Sequence, residues 1–289
     1  MTQIHAALPT PLTAADTVDV ASLERVVRRC LDGGAAGLVA LGSTGEAMLL
    51  TDDERRTVLD VCRASGAPLT VGAGGAGTAA TIAEARGWQR YADALLVPVP
   101  YYVRPDDDAV VAHFAAVTAA LDVPVIVYDI PYRTGKRLAP DALLRILDLD
   151  GVAAMKHCPG ALGRDTLDLI ANSTKPILCG DDALLFPMLA LGAEGGVTAT
   201  ACLVPEAYRD MRLDDHDALL PLLDTLAEQA APAVLKGALA ELGVIDTPLV
   251  RAPLTPARPL NARRAARQAE AAARTAHTAT PRYSTAGAP

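Results

Sequence analysis

Eight short apolar runs recur through the first 200 residues, each followed by a longer stretch of helical period, and this alternation limits the fold more than any other feature. The runs are IHAAL from Ile4, GLVAL from Gly37, PLTVG from Pro68, DALLVPV from Asp93, VPVIVYDI from Val123, GVAAMK from Gly151, KPILCG from Lys175 and GGVTAT from Gly195. Strands that are apolar on both faces must be covered on both faces, and strands joined through helices run parallel. The helical stretches fall at residues 20–31, 51–64, 78–91, 106–121, 140–147, 164–171 and 183–191, and the second opens with Thr51, Asp52, Asp53 and Glu54, a cap and acids suited to a helix N-terminus. Eight such units predict an α/β fold, the closed (β/α)8 TIM barrel. An open doubly wound sheet would carry GxGxxG in its first turn, and that motif is missing.

Strand signals stop after Pro205, and helical period returns at residues 217–231 and 233–242. The chain therefore reads as a catalytic barrel over residues 1–215 and a C-terminal helical region over residues 216–289, with one last helix from Pro259 and a loose tail from about residue 278. A formal charge of −8 argues against a nucleic-acid surface, which needs clustered Lys and Arg to displace counterions from phosphates. No apolar run approaches the roughly 20 residues that span a bilayer, and the start MTQIHAALPTP lacks the basic and apolar regions of a signal peptide. Small-molecule partners and a cytoplasmic setting are expected. The five cysteines form no CxxC and no cluster with histidine, so reduced thiols are expected, and no metal.

Chemistry in this fold sits at the C-terminal ends of the strands. Only four of the 26 basic residues are lysines, and one of them, Lys156, closes the run GVAAMK. Its amine would point into the barrel mouth, where loss of water lowers a lysine pKa from about 10.4 toward that of a nucleophile for a carbonyl substrate. An ammonium snorkelling to solvent at the rim is the other reading of that position. Tyr128 ends the neighbouring strand, about 4.8 Å away, and reads either as a proton relay or as a core aromatic. Ser43 and Thr44 in GSTGE offer two hydroxyls and adjacent amides for a carboxylate, or a plain turn. Arg133 presents a planar fork suited to a carboxylate, or a solvated loop charge. Asp181 and Asp182 lack the further ligands a metal site would need.

In chain order, ALPTPL, GSTGEAMLLTDDER, VPYYVRP, YDIPYRTG, MK, CGDD and VRAPL resemble the motif set of the dihydrodipicolinate synthase / N-acetylneuraminate lyase family, from about Ile4 to Leu254. The resemblance implies a class I lyase in which a lysine forms a Schiff base with pyruvate, with no cofactor beyond that covalent imine. It implies Lys156 as the lysine, Tyr128 as the proton shuttle, Ser43 as its hydrogen-bonding hydroxyl and Thr44 as part of the pyruvate-carboxylate cradle. Tyr102 matches a second relay tyrosine donated across a tight dimer interface, which implies a homo-oligomer, a dimer of dimers. Arg133 matches the arginine that receives the carboxylate of the incoming aldehyde, and Gly180 and Thr198 complete the expected substrate-binding set.

RTG, PYY and GDD are similar to the synthase branch, which condenses pyruvate with aspartate semialdehyde to 4-hydroxy-tetrahydrodipicolinate. Ser43, where synthases usually have Thr, is similar to the lyases of N-acetylneuraminate and 2-keto-3-deoxy sugar acids, which remain the alternative. Arg133 favours the synthase, because a small acidic aldehyde needs a cation. The chain departs from the pattern at Asp129, usually Asn, at KHCPG after the lysine and at GVTATAC. Ala76 replaces the asparagine that holds lysine in feedback-inhibited enzymes, which implies weak or absent inhibition by lysine. Cys158, two residues from Lys156, is expected to make the site sensitive to thiol reagents.

Overall fold

In a computed structural model, which describes residues 3–209 and 211–278, all eight apolar runs become strands that close on themselves in chain order. They are β1 (Gln3–Ala7), β2 (Gly37–Ala40), β3 (Leu69–Gly72), β4 (Ala94–Pro98), β5 (Val125–Asp129), β6 (Val152–His157), β7 (Ile177–Cys179) and β8 (Gly195–Thr198). Each pairs in parallel with its neighbours, and β8 returns to β1. Side chains alternate between two destinations. Ala7, Val39, Leu96, Tyr128, Ala154, Leu178 and Val197 fill the lumen, while residues such as Leu38, Leu95, Val127 and Met155 join the larger core under the helices.

The outer layer is formed by α1 (Val20–Asp32), α2 (Asp52–Ala64), α3 (Thr78–Trp88), α4 (Asp107–Thr118), the short α5 (Pro131–Thr134), α6 (Pro140–Leu147), α7 (Arg164–Asn172) and α8 (Leu185–Ala190). The cap read at Thr51 forms in full: its hydroxyl accepts the Glu54 amide at 3.3 Å, and the Glu54 carboxylate accepts the Thr51 amide at 2.8 Å.

The extension comprises α9 (Leu213–Ala227), α10 (Ala233–Glu241) and α11 (Pro259–Thr278), which pack mainly on one another. Helix α9 begins four residues before the predicted 217, because the Asp215 carboxylate reaches back to the Arg212 amide at 3.0 Å and closes an earlier first turn. The tail expected from about residue 278 lies outside the described residues. Among the described residues no helix is long and apolar enough to cross a membrane. Four non-glycine residues with positive φ, Leu41, Glu46, Tyr102 and Arg104, lie in the loops after β2 and β4. Backbone strain is thus concentrated at the mouth.

Candidate active site

Tyr128 and Lys156 stand opposite one another in the β5–β6 register, and alternation turns both side chains into the lumen. Lys156 is 7% exposed and its Nζ lies 4.4 Å from the centre of the Tyr128 ring. Among the described residues it forms no ion pair, unlike Lys136 and Lys236. The amine is therefore buried in the mouth and does not snorkel to the rim.

The lowered pKa expected for this lysine is not what the surroundings produce. Burial, the largest single influence, does work against its charge, but Tyr128, Cys158, Asp182 and Asp181 together outweigh it and hold the amine above its ordinary value. The resting group is an ammonium. Tyr128 is held above the usual phenol value, first by burial, while Lys156, Ser43 and Arg133 pull the other way. It rests as a neutral phenol whose anion has three stabilising neighbours.

Gly180, expected to bind substrate, makes room for the lysine. Its amide donates to the His157 carbonyl at 3.0 Å, and a Cβ there would overlap Lys156 Cε and Cys158 Sγ. Only glycine leaves room for the lysine stem. Thr198, placed in the same expected set, faces away from the lumen. It sits between Val197 and Ala199, both packed with the luminal cluster, so its side chain points outward beside Tyr208, fully buried. Period-two alternation along GVTA carried that signal in the sequence. Cys158 is fully buried and its thiol is pushed well above the ordinary value, chiefly by burial. That state is inert, against the expected sensitivity to thiol reagents.

The loop GSTGE brings Ser43 to the Tyr128 phenol. Gly45 and Glu46 donate their amides back to Gly42 and Ser43, whereas the Ser43 and Thr44 amides donate to no backbone carbonyl among the described residues. That leaves two free N–H groups beside two hydroxyls, the composition of an anion cradle. A cavity of about 810 Å3 is lined by Ser43 and Tyr128 together with Arg55, Glu84 and Trp88.

The loop is anchored by a contact the sequence reading missed. Glu46, with φ of 56°, receives Lys236 Nζ of α10 at 2.7 Å on Oε1 and the Arg251 amide at 2.7 Å on Oε2. The two side chains are 1% and 0% exposed, and burial pushes the Lys236 amine below its ordinary value even against the pull of Glu46. The available signal was a lysine, rare in this chain, inside the apolar run AVLKGALA.

At the rim, Arg133 is exposed on α5 and has no ion-pair partner among the described residues, yet lies close enough to Tyr128 to favour its anion. Asp181 accepts the Tyr132 hydroxyl and the Gly160 amide, both at 2.8 Å, so the loops after β5, β6 and β7 meet over the lysine. Asp182 is committed to the amide and hydroxyl of Thr200. Among the described residues no three His, Cys, Asp or Glu side chains converge to hold a metal. Tyr102 is 89% exposed.

Barrel and site together define a closed (β/α)8 barrel with a buried lysine and an adjacent tyrosine at its mouth. Residues 1–272 match the model of the Dihydrodipicolinate synthetase family, and the chain belongs to that family. It is 34% identical over 268 residues to the 4-hydroxy-tetrahydrodipicolinate synthase of Salinibacter ruber, covering 86% of this chain and 88% of the relative. Identity to the enzyme of that name from Prochlorococcus marinus is 36% over 271 residues, or 88% and 89% of the two chains. The dihydrodipicolinate synthase of Acinetobacter baumannii, solved with pyruvate, superposes with a TM-score of 0.87 at 29% identity, covering 93% of this chain and 99% of that one. A monomeric dihydrodipicolinate synthase variant also superposes with a TM-score of 0.87, at 25% identity over 94% and 97% of the two chains.

Proposed function

We propose that the protein condenses pyruvate with aspartate semialdehyde to give 4-hydroxy-tetrahydrodipicolinate, through an imine between pyruvate and Lys156. The observation that carries this reading is a buried lysine without a carboxylate partner among the described residues, facing a tyrosine across one strand pair. Similarity to 4-hydroxy-tetrahydrodipicolinate synthases over most of the chain supports the choice of substrates.

The pyruvate carboxylate occupies the Ser43–Thr44 cradle, which presents C2 to Lys156. The ammonium releases one proton to water, and the free amine adds to C2, a proton then moving from nitrogen to the C2 oxygen to give a carbinolamine. Tyr128 gives its proton to the leaving hydroxyl, which departs as water as the C=N bond forms, and the phenolate then takes a proton from C3 to produce the enamine. Ser43 and Arg133 hold the phenolate in the interval. The enamine carbon attacks the aldehyde, whose carboxylate Arg133 receives; the new alkoxide takes a proton from Tyr128, and the amino group of the aldehyde substrate then adds to C2 and displaces Lys156 as the ring closes. No cofactor enters the cycle.

Tyr102, exposed and held at a positive φ of 70°, is assigned to the relay of a neighbouring copy, in a homo-oligomer built as a dimer of dimers. Five buried, unpaired cysteine thiols fit a reducing cytoplasm. Borohydride added with pyruvate should fix a pyruvate-derived adduct on Lys156, read by peptide mass spectrometry. An unmodified Lys156 would overturn the imine. Parallel assays with aspartate semialdehyde and N-acetylneuraminate test the substrate, and turnover of the sugar acid alone would overturn the synthase reading.

A further inference from the structure

Two of the departures noted in the sequence, Asp129 and His157, prove to be partners. They are the residue pair immediately after Tyr128 and Lys156 in the β5–β6 register. Since neighbouring residues in a strand face opposite ways, they point outward, behind the site. There His157 Nδ1 donates to Asp129 Oδ2 at 2.8 Å, and Nε2 meets the Thr166 hydroxyl of α7 at 3.1 Å. All three residues are buried, at 3% exposed for Asp129, 4% for His157 and 2% for Thr166. A carboxylate fixes the Nδ1–H tautomer, which leaves Nε2 to accept from the hydroxyl, so both ring nitrogens are held in direction.

We propose that Asp129, His157 and Thr166 form a clamp that positions Lys156 against Tyr128. His157 lies between Lys156 and Cys158 on β6, its carbonyl accepts the Gly180 amide of the β7 side, and the Cys158 amide donates to the Asp129 carbonyl. One imidazole therefore ties the end of β6 to β5 beside it and to the first turn of α7 beyond it. A strand end free to shift would carry Nζ with it, and a displacement of about 1 Å can cost about 100-fold in rate. The second Asp129 oxygen, Oδ1, is buried without a hydrogen-bond partner among the described residues, so the carboxylate relies on His157. Removing the ring strands a buried charge at the shoulder of the nucleophile. None of the three residues touches pyruvate; they act through the lysine.

The inference rests on Lys156 forming the pyruvate imine, and one experiment separates the two ideas. Rates of borohydride-trapped imine formation are measured over a range of pyruvate concentrations for wild type, His157→Asn, Asp129→Asn and Thr166→Val, each at a temperature where circular dichroism shows it folded. Asn at 157 can still donate to Asp129 but loses Thr166, and Thr166→Val cuts that link alone while keeping shape. The expected result is a loss of about 10- to 100-fold in the limiting rate for His157→Asn and a smaller loss for the other two. The pyruvate concentration at half-saturation should stay within about twofold, because the carboxylate cradle belongs to the loop after β2. Limiting rates within twofold of wild type in all three folded variants, whatever their melting temperatures, would reduce the cluster to a structural role and overturn the clamp. A wild type that traps no pyruvate would overturn the proposed function itself.

Discussion

Lys236 is fully buried with its Nζ 2.7 Å from Glu46, whereas Lys156, nearly as buried, has no carboxylate partner among the described residues and faces the ring of Tyr128 at 4.4 Å. Both amines sit close to the barrel mouth, and the difference lies in what neutralises each charge. A dedicated carboxylate makes Lys236 a strut between α10 and the loop that carries Ser43. At Lys156 the charge is held by several groups together, and under the proposed function no single contact must break before the nitrogen forms a covalent bond. Burial alone does not distinguish the two lysines; the private counter-ion does.

Substituting each lysine should break the comparison in opposite directions. Lys156→Met removes the nucleophile, and pyruvate-dependent turnover should fall on the order of 10⁶-fold, with no trapped adduct. Its melting temperature should stay at or above that of wild type, because an unpaired buried charge is exchanged for an apolar chain of similar length. A marked fall in melting temperature would show that Lys156 is structural after all. Lys236→Met should instead cost about 3–5 kcal/mol in denaturant unfolding, since it strands Glu46. Combining it with Glu46→Gln should recover most of that loss, whereas additive losses would show that the two charges do not interact.

The same contrast governs what the sequence made legible. Strand and helix order followed from local periodicity, and the strand ends at Tyr128 and Lys156 followed from that order, because barrel geometry fixes where neighbouring strands end. Glu46 and Lys236 lie 190 residues apart, and no local pattern links an acid in a turn to a lysine in a distant helix. Gly180 was read for its place in the CGDD segment, while its use depends on where the Lys156 stem runs. The direction of the Lys156 shift was missed because desolvation is visible at a strand end, but Tyr128, Cys158, Asp182 and Asp181, which together outweigh it, come from three different segments.

Ser43→Ala sharpens the reactive side of the comparison. The hydroxyl stabilises the Tyr128 anion but is itself exposed, so its loss should slow imine formation by about tenfold, in line with one charge-assisted hydrogen bond. Pyruvate saturation should change little, since the Thr44 side of the cradle remains. An unchanged trapping rate would remove Ser43 from the relay.

The smallest effect tests the structural side, at a pair with more access to water than Glu46 and Lys236. Lys136 Nζ lies 2.6 Å from Asp107, with side chains 16% and 31% exposed, and Asp107 also accepts the Ala139 amide at 3.0 Å. Together these contacts pin the segment that follows Arg133. The Lys136 hydrogen bond, then the Ala139 amide, hold the Asp107 carboxyl below its ordinary value. Its folded pKa is therefore below its unfolded one, so the stabilisation is complete above the unfolded value and is lost as pH falls through the folded value. Asp107→Asn keeps an acceptor for Ala139 and removes only the charge, and should cost at most about 1 kcal/mol at neutral pH. Denaturation curves of the variant and wild type should stand apart at neutral pH and converge in acid, and molar salt should narrow the neutral gap. The buried Glu46–Lys236 pair, shielded from counterions, should show no comparable response to salt; equal responses at both sites would mean that burial does not separate the two kinds of ion pair in this barrel.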